Sequence, residues 1–469
     1  MMLSKTTTAI SVLAALTSLS AQAVRHGNDV TEANYRDHTV RFQLSSTSGA
    51  TNTCGGLLIA GEYILTAGHC IGDNAYTANY SEYIPWLDGG ASNSISVFKG
   101  IEYDGVEFTT TYSNLDVYGS FESEYNSVIS ELTYLETVHG ASKFANQRTW
   151  QDLDWTRKTG ARDIALIKLA SKIPQQHQAS IKPIFDSASN TYNVESGDSF
   201  TFRGWGRDEN NSVPTVMQET TLELSFTQDQ YNPNKPVETS DTTILCSGSS
   251  SDCEIRIKDR LTIKPTVVTG TASSGDSGTP MLIANDAVLI ASSESGDHSQ
   301  NLFTNIGSYL ENIATLINKV TAPSSMTFDI DENSTNTIVS TFKVQNLTQF
   351  TDSVSPSLTG DTHNFTITGC GANMNTYDSC ELTLTLNPNG TAQTEDSDVV
   401  LHLNDTDNTT IPISLTVTPD STDTTDPTDP TDPDEGEGST STGGGSGGGS
   451  TSLLSILGLL ALIRLRKSK

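Results

Sequence analysis

Positive charge is scarce in this chain. Of 469 residues only 26 are Lys or Arg, against 56 Asp or Glu, for a formal net charge of −30 at pH 7. Nothing beyond the last few residues resembles a Lys/Arg patch, which argues against a nucleic-acid partner. Metal-ligand spacings are missing too. No Cys-x-x-Cys and no His-x-x-x-His occurs, so no metal centre is expected, and no cofactor is called for. Helical periodicity is confined to residues 306–320, where Ile306, Tyr309, Leu310, Ile313, Leu316 and Ile317 share one face. The apolar run at 453–463 is short for an independent membrane span.

What is present divides the chain into segments, and its length calls for two or three domains. Residues 1–23 read as a secretory signal peptide: Lys5, a mostly apolar run at 9–19, then Ala21-Gln22-Ala23 as a cleavage site for signal peptidase. Six cysteines in an exported chain predict disulfides. They fall in close pairs, and local pairing (Cys54–Cys70, Cys246–Cys253, Cys370–Cys380) is the simplest of the fifteen connectivities that six cysteines allow.

Residues 24–322 read as short strands between Gly, Asn, Asp and Ser turns, an all-β body closed by the one helix. Within it, 57–59, 164–167 and 288–291 look like buried strands, and 73–160 is a polar, Tyr-rich stretch of enlarged loops. Residues 323–418 alternate apolar and polar in six short segments, the pattern of an immunoglobulin-like β-sandwich, with Cys370 and Cys380 stapling a hairpin. Residues 419–451 form an Asp/Thr/Pro and Gly/Ser linker, stiff and then flexible. Residues 452–469 are an apolar segment ending in Arg464, Arg466, Lys467 and Lys469, a positive end expected to stay cytoplasmic while the tail associates transiently with the membrane.

One constellation carries chemistry. Gly275-Asp276-Ser277-Gly278-Thr279-Pro280 offers a serine in a glycine turn. Upstream lie Leu65-Thr66-Ala67-Gly68-His69-Cys70 and Asp163-Ile164-Ala165-Leu166-Ile167-Lys168-Leu169. A serine hydroxyl is a poor nucleophile at neutral pH; it needs a base within hydrogen-bond reach and a third group to fix the tautomer of that base. Ser277 as nucleophile, His69 as general base and then acid, and Asp163 as orienting carboxylate meet that need. The N–H groups of Gly275 and Ser277 can converge on an oxyanion, and Gly278 permits close approach of backbone.

In these blocks, and in Cys54-Gly55-Gly56, Gly204-Trp205-Gly206, Ile244-Leu245-Cys246-Ser247-Gly248 and Phe303-Thr304, the sequence resembles the trypsin/chymotrypsin-type serine peptidase family over about residues 24–320. The resemblance implies a chymotrypsin-like fold of two six-stranded β-barrels with the triad between them, and protein or peptide substrates. It also implies a pocket that involves Thr271, Ser292, Glu294 and Asn301. Gly68 stands where alanine is usual and Thr279 where glycine is. Ser273 replaces the cysteine that braces the pocket in relatives, and Thr271 replaces the aspartate that trypsins carry at the floor. A neutral floor does not pair with Arg or Lys, so specificity outside basic residues is expected, unless Glu294 or Asp297 supplies charge from the wall.

Family members are activated when a new α-amino terminus pairs with the aspartate before the catalytic serine. Here Val24-Arg25-His26-Gly27 follows Ala23 directly, so signal peptidase itself would create the activating end, and Val24 would pair with Asp276. The tail resembles the GlyGly-CTERM sorting signals of marine γ-proteobacteria, processed by rhomboid-type proteases on chains that often leave by type II secretion. Secreted trypsin-like proteases of vibrios combine such a tail with an immunoglobulin-like domain. The expectation is therefore a serine endopeptidase, exported through the periplasm of a Gram-negative bacterium to the cell surface or medium. The alternatives are a catalytically weak or inactive surface-binding protein or adhesin on the same fold, and an esterase using the same triad.

Overall fold

The computed structural model describes residues 24–45, 51–71, 94–115, 117, 164–183, 185–186, 191–192, 197–223, 242–246, 253–257, 260–263, 271–284, 286–294, 301–331, 334–360, 364–371, 373–388 and 399–418, at some strand positions by backbone alone. These all fall in one compact unit, Met1–Asp420. The leader, most of the 73–160 stretch and the tail from 419 onward lie outside the described residues.

The described residues are almost entirely β-strand and loop, with a terminal helix as expected. Strands Thr39–Ser45, Thr51–Ile59, Tyr63–Thr66, Ala165–Leu169, Val106–Leu115 and Ser94–Lys99 pair in that order and close into a six-stranded barrel, which leaves no free edge. In Ser94–Lys99 burial alternates, with Ile95 and Val97 turned inward as a period of two requires. Tyr63–Thr66 is buried at every position, and its partner Ala165–Leu169 at all but Lys168, so these two apolar runs are covered on both faces.

A 3₁₀ turn, Ile306–Tyr309, leads into the helix Leu310–Ile317. Leu310, Ile313, Ala314 and Ile317 join the same core as the barrel, which accounts for the amphipathic spacing. The helix stops three residues short of position 320. Asn318 turns left-handed at φ 44°, its N–H bonds to the Ala314 carbonyl at 2.7 Å, and Val320–Thr321 leaves as a strand.

The second half of this body is a sheet in the order Asn28–Asp29, Gln218–Glu223, Ser199–Gly204, Pro280–Ile283, Asp286–Glu294, Asn301–Asn305 and Arg260–Ile263. Ser180–Ile181 adds to Asp286–Glu294 in parallel. Phe200 and Phe202 point inward, and Phe202 meets Phe303 edge to face at 5.6 Å. The hairpin Thr242–Cys246/Cys253–Ile257 sets Cys246 directly opposite Cys253 in register; their side chains lie outside the description.

After the helix come two four-stranded sheets: Val320–Thr321, Ile338–Asn346, Ser379–Leu386, Phe365–Gly369, and Met326–Asp331, Thr410–Thr418, Val399–His402, Ser357–Thr359. Their inward residues share one core containing Phe328, Phe342, Val344, Leu384, Leu401 and Ile413. Cys370 and Cys380 are bonded at the end of the Phe365–Gly369/Ser379–Leu386 pair, with Cα atoms 5.4 Å apart.

Candidate active site

The turn that carries Ser277 is built from backbone. Asp276 N–H bonds to the Ser273 carbonyl at 2.9 Å and Thr279 N–H to the Asp276 carbonyl at 3.0 Å. Gly275 and Gly278 take φ 105° and 82°, values that favour glycine. A Cβ on Gly278 would sit 1.9 Å from Thr66 Oγ1 and 2.4 Å from the Gly55 carbonyl. The turn is therefore pressed against the first barrel: Gly55 N–H donates to the Ser277 carbonyl at 2.8 Å. On its other side Gly278 N–H donates to the Ala291 carbonyl at 2.8 Å, and Ala291 N–H to the Thr279 carbonyl at 3.0 Å. The N–H groups of Gly275 and Ser277 have no acceptor among the described residues.

His69 lies in the short helix Gly68–Ile71, which follows the barrel strand Tyr63–Thr66; only its backbone is described. The Cys54–Cys70 disulfide ties that helix to the strand Thr51–Ile59, and Cys70 Sγ lies 3.7 Å from the Ser277 carbonyl oxygen. The backbone of His69 thus runs one residue from an atom that touches the Ser277 turn. Asp163 lies outside the described residues. Register pairs Thr66 with Ala165, so the strand Ala165–Leu169 begins at the barrel end where His69 stands.

Asp276 is 1% exposed. Gly206 N–H donates to its Oδ1 at 2.7 Å and Ser273 N–H to its Oδ2 at 2.9 Å. A Cβ on Gly204 would lie 2.0 Å from Oδ1, and one on Gly206 2.3 Å from Oδ2. Gly204-Trp205-Gly206 is therefore the cradle of this carboxylate, a role invisible in its spacing. Near it, the segment that starts with fully buried Val24 is docked by Arg25, whose N–H and carbonyl both pair with Thr271 at 3.1 Å.

Thr271 is 9% exposed. Ser273, at the position of the missing pocket cysteine, donates its hydroxyl to the Arg207 carbonyl, and Arg207 N–H donates to the Ser274 carbonyl at 2.9 Å. Hydrogen bonds join the segments here. Among the other pocket candidates, Glu294 pairs with Asn301 in register, and Ser292 falls at a β-bulge between Ala291 and Ser293; all three are described by backbone alone. Asp297 lies outside the described residues. No cluster of potential metal ligands occurs among the described residues.

A serine turn pinned between a closed barrel and a second sheet, with a buried aspartate beneath it, defines a chymotrypsin-like hydrolase. The family model for trypsin matches residues 26–102 and 113–313, more than half of the chain, and the chain belongs to the trypsin family of serine peptidases. No curated protein sequence matches it. Among solved structures it is similar to the VesB protease of Vibrio cholerae, at 14% identity and TM-score 0.36 over 84% of this chain and 99% of that one. The secreted serine protease VesC of the same organism matches at 14% identity and TM-score 0.34, over 83% and 71%. A structure described as HL collagenase matches at 18% identity and TM-score 0.35, over 62% and 96%.

Proposed function

We propose that the protein is a secreted serine endopeptidase in which Ser277, His69 and Asp163 act as the triad. Ser277 Oγ attacks the carbonyl carbon of the scissile bond while its proton passes to His69, held in the right tautomer by Asp163. The N–H groups of Gly275 and Ser277 stabilise the resulting oxyanion. Collapse expels the amine with the proton from His69 and leaves an acyl-enzyme, which water hydrolyses by the same steps. The observation that carries this reading is the Ser277 turn itself: held on both sides by backbone hydrogen bonds, with two N–H groups that lack an acceptor among the described residues.

Neutral Thr271 supports cleavage outside Arg and Lys. Activation needs no separate propeptide: signal peptidase exposes Val24, whose ammonium pairs with buried Asp276. Breaking a buried pair of this kind costs about 3–5 kcal/mol. Full burial of both residues and the docking of Arg25 on Thr271 support it. Residues 323–418 serve as an immunoglobulin-like sandwich. The segment 452–469 is a sorting tail, removed by a rhomboid-type protease during export through the type II pathway. The Cys54–Cys70 and Cys370–Cys380 bonds fit an oxidising destination.

The test is labelling by a fluorophosphonate, with Ser277→Ala as control, followed by cleavage profiling on a peptide library and a panel of esters. Labelling that depends on Ser277, with peptide cleavage, is expected. Folded protein that takes no label favours the inactive binding protein, and ester turnover without peptide cleavage favours the esterase. N-terminal sequencing of the active form decides activation, since a start well after Val24 excludes it.

A further inference from the structure

The strand Pro280–Ile283 begins three residues after Ser277 and turns back into Asp286–Glu294, which contains Ala291, the acceptor for Gly278, and the pocket candidates Ser292 and Glu294. This hairpin turns through Ala284 at φ 46°, a left-handed conformation that costs a residue with a Cβ. The turn is held by a side chain from the C-terminal sheets. Lys343 Nζ donates to the Ala284 carbonyl at 3.1 Å and to Asp286 Oδ1 at 2.5 Å. Lys182 Nζ takes the other oxygen, Asp286 Oδ2, at 2.7 Å. Asp286 is only 4% exposed, so these partners are what make its burial tolerable.

Two residues along the same strand, Gln345 behaves as a piece of backbone. Its Oε1 accepts from Ile181 N–H at 2.8 Å and its Nε2 donates to the Ile181 carbonyl at 2.7 Å. Ser180–Ile181 is the strand that pairs with Asp286–Ala287, and Lys182 N–H adds a bond to the Ala287 carbonyl at 3.0 Å. The rest of the seam is equally close. Leu347 is fully buried in the barrel core, Tyr377 packs against that core, and Ser324 Oγ donates to the Ile173 carbonyl at 2.6 Å.

We propose that Lys343 and Gln345 are positioning residues of the peptidase. Through Asp286 and Ile181 the C-terminal sheets hold the hairpin whose one strand extends from Ser277 and whose other strand walls the pocket. The sheets are then a built-in brace of the enzyme rather than a binding module on a tether. The inference rests on the assignment of Ser277 and the pocket strand made above.

The test uses the full-length secreted chain and compares Lys343→Met with Lys343→Arg and with Ser324→Ala, which loosens the seam away from the hairpin. Amide hydrogen exchange over residues 279–291 is read alongside kcat and KM per folded molecule. For Lys343→Met, exchange in the hairpin is expected to quicken about tenfold, and KM to rise about fivefold with a matching fall in kcat/KM. Lys343→Arg restores both, and Ser324→Ala lowers Tm alone. If Lys343→Met does not fold, Lys343→Gln is read in the same way. Unchanged exchange over 279–291 in a folded variant, or the same KM change from Ser324→Ala, overturns the proposal. Exchange needs no activity, so an inert wild-type chain would sink the peptidase reading while the brace still stands or falls on its own result.

Discussion

Gly206 donates its backbone N–H to Asp276 Oδ1 at 2.7 Å, and the hydrogen where its Cβ would be is what gives the carboxylate room. One aspartate thus links the Ser277 turn to the end of the strand Ser199–Gly204 and to Ser273. Gly206→Ala would place a methyl 2.4 Å from Asp276 Cγ. Overpacking of that kind costs about 1–3 kcal/mol. The variant is expected to fold with a lowered Tm and to lose most fluorophosphonate labelling, since the displaced carboxylate carries the Ser277 turn with it. Full labelling at normal rate would show that the turn does not depend on this cradle.

Cys54 and Cys70 close a loop with a sequence separation of 16. Removing both as alanines is expected to destabilise the fold by about 3 kcal/mol. Because Cys70 Sγ lies 3.7 Å from the Ser277 carbonyl oxygen, labelling should slow even at temperatures where the variant is fully folded. Denaturant titration and labelling kinetics on the same sample separate the two effects.

Two threonines next to Gly55 should respond oppositely. Thr66 Oγ1 donates to the Gly55 carbonyl at 2.8 Å, whereas buried Thr279 Oγ1 has no hydrogen-bond partner among the described residues. Thr66→Val leaves a buried carbonyl short of a partner and should cost about 1–3 kcal/mol. Thr279→Val removes an unsatisfied hydroxyl at nearly constant volume and should be neutral or stabilising by about 1 kcal/mol. Thermal melts of the two variants settle the contrast.

Acid should weaken the fold in two stages. Burial lowers His38 from 6.5 to about 3, with nearby His177, Arg203 and Arg36 adding to the effect against the opposing charge of Asp37. The folded state keeps His38 neutral, so its contribution is complete above 6.5 and is lost as pH falls from there toward 3. Burial alone would raise Asp37, but the hydrogen bond from His177, the charge of Lys99 and the Gln176 N–H outweigh it and hold the carboxyl well below its ordinary 3.8. Its contribution is present above that value and is lost as pH falls below it. Tm measured against pH should fall on both intervals. His38→Gln should flatten the upper one and Asp37→Asn the lower; an unchanged profile in either variant removes that residue from the account.

Much of this molecule is legible before folding. Positions 57–59 and 288–291 lie inside observed strands, and the 164–167 run matches the strand Ala165–Leu169 with Ile164 just before it, because covered strands are written as unbroken apolar runs. The C-terminal segments alternate where a strand has one wet face, as in Met326–Asp331. The helix was visible in its apolar stripe but its end was not, since Asn318 stops it through a backbone conformation. Ser277 stood out because glycines flank it.

By itself the sequence determined the all-β class, the family, the disulfides Cys54–Cys70 and Cys370–Cys380, and which serine sits in a glycine-bound turn. These are local properties: periodicity, side-chain type and short spacings carry them. Only the tertiary structure decided why Gly204 and Gly206 must be glycines, that Ser273 reaches Arg207, and that Lys343 holds Asp286 across 57 positions of sequence. Each depends on two distant segments meeting at hydrogen-bond distance, and no property of either segment alone encodes that meeting.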